Sequence, residues 1–325
     1  MTTILSNLAR NRDLVDREAA SFEIVESQAL RRELKEQTTK RDRDRQDEFA
    51  RQVFRWLDLS GQDREQDDFL ESCQNTRAPG TCQWFVNHRK TLTWFDEQDP
   101  RMVLWMKGKP GSGKTTIASH VVQETPVSPR SITLRCLCTE LLRRMASGAT
   151  GMILRLFCAQ ILRTRRDLIG FVYEDYVCLN ATASLKRTRE LLRLLVESFE
   201  TVFIVLDGLD EYADTDQTSI IKELAGLCKS SATTPDDTKT GEKTKLLVCS
   251  RETPAILRIM RTLPGKPLVV NLTEEKSQVS EDVATYAKME LQVLGDRFSN
   301  SVIEDVGASI IAKADGKSTT TRESK

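Results

Sequence analysis

The chain has 325 residues, with 48 basic and 48 acidic side chains, 39% apolar content and 30% charged content. That length holds one sizeable domain plus a helical extension, and the zero net charge gives no electrostatic footprint for nucleic acid. The 8 cysteines are scattered without a C-x-x-C pair and no apolar run approaches ~18 residues, which argues against a zinc site, a disulfide scaffold and a membrane span.

Residues 1–75 are expected to form a charged helical N-terminal extension. Residues 31–55 carry fifteen charged side chains of mixed sign, with i,i+4 pairs available at Glu36/Lys40 and Asp47/Arg51. Phe49, Val53, Trp56 and Leu57 make an apolar stripe at helical spacing, so the expected element is a long solvated helix whose last turns pack on the following domain. An oligomerisation or effector helix is the sharper reading of the same stripe. Leu8, Val15, Phe22 and Ala29 fall seven apart, a single row that does not make a coiled coil. The N-terminus has no signal-peptide core, which with reduced thiols places the expected protein in the cytoplasm.

From residue 76 to 272 the pattern alternates between apolar runs and helical spacing. Val103 to Met106 reads as a buried strand and Thr116 to Val122 as a helix; Ser131 to Leu134 reads as a second strand. Met152 to Leu162 is an amphipathic helix. Its neighbouring arginines, at 143, 144, 155, 163, 165 and 166, read as a solvated basic face rather than a nucleic-acid surface, because no aromatic residues interleave with them. A further helix runs from Leu185 to Phe199 and leads into the strand Val202 to Leu206. Residues 229–244 form a polar insertion expected to be mobile, followed by the strands Lys245 to Cys249 and Pro267 to Leu272. Five such runs separated by helices predict an α/β fold: a five-stranded parallel sheet flanked by helices, with ligand at the strand C-termini. Residues 273–316 are expected to be helical, with Val302, Ile303, Val306 and Ile310 at helical spacing, and 317–325 to be a disordered polar tail.

Chemistry concentrates at three strand ends. Gly108, Lys109, Pro110, Gly111, Ser112, Gly113, Lys114 and Thr115 fit the phosphate-binding pattern G-x-x-x-x-G-K-[S/T]. Glycines let the backbone curl so that its N–H groups face an anion, Lys114 brings charge to the β/γ-phosphates, and the Thr115 hydroxyl can ligate Mg²⁺. With Thr116, these are the candidate nucleotide-binding residues. Asp207, closing the strand Val202 to Leu206, is the second candidate Mg²⁺ position. Asp210 and Glu211 follow in a turn and are candidates to orient or deprotonate a water. Arg251, just past the strand that ends at Cys249, is the candidate γ-phosphate sensor.

The chain resembles the NACHT NTPases, within the signal-transduction ATPases with numerous domains (STAND), and looks most like the filamentous-fungal branch. The resemblance rests on Leu104 to Thr115, on Asp207, Gly208, Leu209, Asp210 and Glu211, on Cys249, Ser250 and Arg251, and upstream on Pro79 to Phe85. It implies a switch that holds ADP or GDP when closed, exchanges it for ATP or GTP, hydrolyses slowly, and self-associates or engages other signalling proteins when open. In such proteins the NTPase core continues into helical and winged-helix segments and a sensor. Here Lys313 to Gly316 looks like the start of that continuation, but polar residues follow, so the expectation is a member truncated after its NTPase core. Three other readings stay open: a free-standing P-loop kinase or hydrolase, a helical interaction module indifferent to nucleotide, and a non-functional fragment.

Overall fold

The computed structural model describes residues 31–59, 61–126, 128–137, 148–179, 182–228 and 243–294. Its helices in chain order begin with α1 (31–57), α2 (Gln62–Thr76), α3 (Gln83–Val86), α4 (Arg89–Phe95) and α5 (Lys114–Glu124). They continue with α6 (Ala149–Thr164), α7 (Ile169–Val172), α8 (Leu185–Val196), α9 (Asp214–Leu227), α10 (Pro254–Thr262) and α11 (Lys276–Leu294). The strands are β1 (Val103–Lys107), β2 (Ser131–Cys136), β3 (Thr201–Asp207), β4 (Lys243–Ser250) and β5 (Leu268–Asn271). Two compact units divide the chain: one runs up to Trp56 and includes Asp167–Ala181, the other holds Leu57–Arg166 and Thr182 onward.

In the first unit, the apolar stripe of α1 finds aromatic partners. Phe49 stacks on Tyr173 with ring centroids 3.9 Å apart, and Trp56 tilts against Tyr176 at 6.0 Å. Arg45 lies over the Phe49 ring at 5.1 Å. Arg51 pairs with Glu48 at 2.6 Å, an i,i+3 contact that replaces the Asp47 pairing expected from sequence. The shorter spacing serves Arg51 better because Nε and Nη2 both reach the same Glu48 oxygen.

The second unit is built on one parallel sheet in the order β2-β3-β4-β1-β5. Parallel strands covered on both faces must be apolar on both faces, and β3 meets this condition with every residue buried. Alternation then divides the side chains. Leu104 and Met106, Phe203 and Val205, Leu247 and Cys249, Leu268 and Val270 pack in one cluster with Ile117, Ala118 and Val121 of α5 and with Phe85 and Trp94. Val202, Ile204, Leu206, Leu246 and Val248 are equally buried and point to the other face, where α6 runs against β2 and α9 against β4. From β1 the chain crosses to β2 at the far edge and works back to β4. That leaves the C-terminal ends of β1, β3 and β4 at the point where the strand order reverses, the natural place for a crevice.

Edge strand β2 is closed by two glutamine side chains. Gln160 accepts from the Arg135 N–H at 2.9 Å and donates to the Arg135 carbonyl at 2.8 Å. Gln66, fully buried, does the same for Leu137 at 2.6 and 2.7 Å. Residues two apart present their backbone groups to the same side of a strand, so the two amides together stand in for a missing neighbour. Near the start of the central strand β4, buried Lys245 donates from Nζ to the carbonyls of Asp96 and Asp99 at 2.8 Å each and fixes the turn that feeds β1.

Several sequence boundaries shift. β4 begins at Lys243, inside the polar stretch expected to be an insertion, because Thr244 is buried and β4 pairs with β3 from its first residue. β2 runs on to Cys136, two residues past the expected Leu134. α8 stops at Val196, and Phe199 is buried in the turn that follows. Arg163 is paired with Asp63 and Asp67, and Arg165 donates to the Ser198 carbonyl at 3.2 Å, so both serve packing. The heptad row at Leu8 to Ala29, Arg143 and Arg144, residues 229–242, the helix expected at Ser301 to Ala312 and the tail 317–325 lie outside the described residues. Among the described residues, no helix is long and apolar enough to cross a membrane.

Candidate functional site

The glycine loop turns between β1 and α5. Gly111 and Gly113 have φ of 73° and 79°, the left-handed region that residues with a Cβ avoid. Gly108 is required for a different reason: a Cβ there would stand 2.6 Å from Ser112 Oγ and 3.1 Å from Leu272. The first intrahelical bond runs from Ile117 N to Gly113 O at 2.9 Å, which leaves the amides of Lys114, Thr115 and Thr116 ahead of it at the positive end of α5. Lys114 curls back over the loop, its Nζ donating to the carbonyls of Gly108 at 3.0 Å and Lys109 at 2.8 Å. Burial pulls the Lys114 pKa below the usual lysine range, against the opposing pull of Asp210 and Asp207.

Asp207 closes β3 with its carboxylate 3% exposed. The Thr115 hydroxyl donates to Asp207 Oδ2 at 2.7 Å, while Asp207 Oδ1 is buried with no protein partner. Burial raises this carboxyl to about 6, and the Thr115 bond and Lys114 charge hold it from going higher. Gly208, at φ 71°, then turns the chain, and its N–H donates to the Cys249 carbonyl at 3.0 Å, tying the tips of β3 and β4 together.

Arg251 makes a second tie. Its backbone N–H donates to Asp210 Oδ1 at 2.8 Å, its Nε donates to Asp210 Oδ2, and its Nη2 lies 3.6 Å from Glu211 Oε1. Asp210 is thereby committed on both oxygens, whereas Glu211 is held loosely. A cleft of about 430 Å³ is walled by residues Pro110 through Thr116 on one side and by Asp207, Gly208, Asp210, Glu211 and Arg251 on the other. The structure thus gathers all the candidate residues, with Gly108 and Lys109 lying beneath the cleft as acceptors for Lys114.

A second cleft, of about 230 Å³, opens on the far side of the same loop and was not anticipated from sequence. Gly111, Ser112, Gly113 and Thr116 border both. Its other walls are Thr76, Arg77, Ala78, Thr81 and Cys82 and the α11 residues Val279, Asp282, Val283 and Tyr286. Two buried polar atoms on its lining residues, Arg77 Nε and Ser112 Oγ, have no protein partner. The i, i+3, i+4, i+7 spacing of the α11 residues was a readable signal, but helical spacing alone does not say which surface a helix meets.

Residues 80–251 match the family described as nephrocystin 3, N-terminal, a span of more than half the chain. The chain belongs to that family. The nephrocystin 3 N-terminal region is a NACHT-related one. Here it takes in the glycine loop, β1 to β4, the acidic turn and Arg251, and stops short of β5 and α11. A comparison with curated proteins found no match.

Proposed function

We propose that the chain is a nucleotide-dependent switch of the NACHT type, binding ATP/ADP or GTP/GDP together with Mg²⁺. The observation that carries this reading is the buried Asp207 carboxylate, one oxygen bonded to Thr115 and the other orphaned, at the side of a cleft walled by a glycine loop. An unpaired buried charge destabilises a fold unless a ligand compensates it. Thr115 and Asp207 fit Mg²⁺, which takes one or two protein oxygens and completes its shell with phosphate and water.

Each remaining side chain then has a role. The amides of Lys114, Thr115 and Thr116 and the Lys114 ammonium hold the phosphates, while Gly108 to Gly113 let the backbone approach them. A γ-phosphate at the Arg251 end of the cleft competes with Asp210 for the guanidinium, so a triphosphate loosens the tie between the β3 and β4 tips and a diphosphate spares it. Glu211, the freer carboxylate, orients a water for slow hydrolysis. The second cleft receives the base, with Arg77 Nε as a buried donor. In the cytoplasm such a switch would self-associate or engage signalling proteins, in a response of the heterokaryon-incompatibility or innate-immune type that the fungal NACHT resemblance implies.

The test is to purify the chain beside Lys114→Ala, denature both and separate any released nucleotide, then titrate ADP, ATP, GDP and GTP with and without Mg²⁺. Diphosphate retained by the wild type alone, with Lys114→Ala folded but at least about a hundredfold weaker, is the expected result. Lys114→Ala binding as tightly as the wild type removes the reading.

A further inference from the structure

We propose that Asp282 is a positioning residue that fastens α11 over the second cleft and thereby sets how long a nucleotide stays bound. The proposal rests on the nucleotide-binding reading above and concerns the wall of the site that the family match does not cover, since that match ends at residue 251.

One oxygen makes the fastening. Asp282 Oδ2 accepts from the Cys82 N–H at 3.0 Å and from the Trp84 indole Nε1–H at 2.8 Å. Both donors sit on the approach to β1, and Cys82 borders the same cleft as Asp282. Cys82 has φ of 68°, one of the two positive-φ residues other than glycine among those described, and it stands at the N-cap of α3 with no side-chain capping bond. A left-handed non-glycine residue needs surrounding structure to hold it. Here the carboxylate provides that hold, as an anion bonded to an amide at a helix start. The shape of the cleft wall and the seat of α11 therefore depend on each other. Burial and the Asp282 charge together push the Cys82 thiol up to about 11, so the sulfur stays a neutral packing group beside the bond.

Helix geometry makes one face of α11 a wall of the cleft. Val279, Asp282, Val283 and Tyr286 all lie on one face and all border the cleft. Val279 packs on the core beneath and Ala287 and Leu291 are buried further along, whereas Tyr286 on the cleft face is 45% exposed. Near its start, the turn ahead of α11 is pinned by the Asn271 carbonyl, which accepts from Glu274 N at 2.8 Å and Glu275 N at 3.3 Å. Asp282 is thus a polar fastening on the cleft-facing side of a helix whose start is pinned and whose later turns pack through Ala287 and Leu291. A base held in the second cleft leaves when α11 lifts, and α11 lifts when two charge-assisted bonds break. Inorganic pyrophosphate reaches only the phosphate cleft and escapes this control.

The experiment follows release of a fluorescent ADP or GDP analogue from the full chain by stopped flow, in wild type, Asp282→Ala, Asp282→Asn and Trp84→Phe. Asp282→Ala should release about tenfold faster or more, Trp84→Phe about threefold faster, and Asp282→Asn should recover part of the loss because an amide oxygen still accepts. Competition by inorganic pyrophosphate should be the same in all four. Hydrogen exchange at residues 276–294 should quicken in Asp282→Ala while β3 stays protected. Wild-type chain that binds none of the nucleotides sinks the nucleotide reading itself. Wild type that binds, with release unchanged in Asp282→Ala, overturns this proposal alone. If Asp282→Ala loses β3 protection, Trp84→Phe decides, and unchanged release in that variant is equally fatal.

Discussion

At Asp207, stability and function pull in opposite directions. The residue is 3% exposed, and its carboxylate carries one hydroxyl partner and leaves one oxygen without a protein partner. A rise from 3.8 to about 6 corresponds to a cost of about 2–3 kcal/mol for keeping the group ionised at neutral pH. Because this carboxyl is raised on folding, the cost is fully present above pH 6 or so and vanishes below the unfolded value. Asp207→Asn should therefore stabilise the ligand-free protein by about 1–3 kcal/mol in urea at pH 7.5 while weakening Mg²⁺-nucleotide binding more than tenfold. The stability gain should shrink toward pH 4. A variant less stable than wild type at neutral pH would mean that the carboxylate is a structural group. Asp207 was legible in the sequence because it ends an apolar run, and so were Lys114 and Thr115 in their fixed pattern. Asp282 was not, since its partners at positions 82 and 84 are separated from it by 200 and 198 residues and no local periodicity encodes that meeting.

The same division holds for elements. All five strands were readable: β1, β3 and β4 because a strand buried on both faces is a largely apolar run whatever its neighbours, β2 and β5 from shorter runs that are only partly buried. Sheet order was not readable, and so neither was the task of Gln66 and Gln160, which look like ordinary polar helix positions until β2 is known to lie at the edge. Each glutamine pairs both backbone groups of one edge residue, and the Gln66 pair is fully buried. Removing it leaves a donor and an acceptor without partners, at a cost of about 1–3 kcal/mol. Gln66→Ala should lower the urea midpoint accordingly. It should also raise the tendency to aggregate, because an uncovered edge templates further strands. Gln66→Glu keeps the acceptor for Leu137 N but loses the donor, and should fall between. An unchanged midpoint in Gln66→Ala would show that solvent or a neighbouring side chain satisfies β2 equally well.

For the whole molecule, the two clefts join parts of the chain that the sheet alone does not tie together. The first cleft draws on the loop after β1 and the tips of β3 and β4, all within the family-matched residues 80–251. The second cleft adds Arg77, which precedes that span, and α11, which follows it. On the proposed function, a nucleotide filling both would bond segments from three regions at once, and it would bind the native chain but not the unfolded one. At a hundred times its dissociation constant such a ligand adds about 2.7 kcal/mol, which for a domain of this size raises the melting temperature by about 5–10 °C. Mg²⁺ should be needed for the full rise, since without it Asp207 stays uncompensated against added phosphate charge, and EDTA should remove part of the gain. Pyrophosphate with Mg²⁺ should give a smaller rise, because it leaves α11 and Arg77 untouched. Lys114→Ala should melt near the ligand-free wild type and show no rise with any of these ligands. Differential scanning fluorimetry of the two chains checks all four conditions. A rise of equal size in Lys114→Ala would mean that the ligand binds elsewhere, and a rise with pyrophosphate equal to that with nucleotide would mean that the second cleft takes no part.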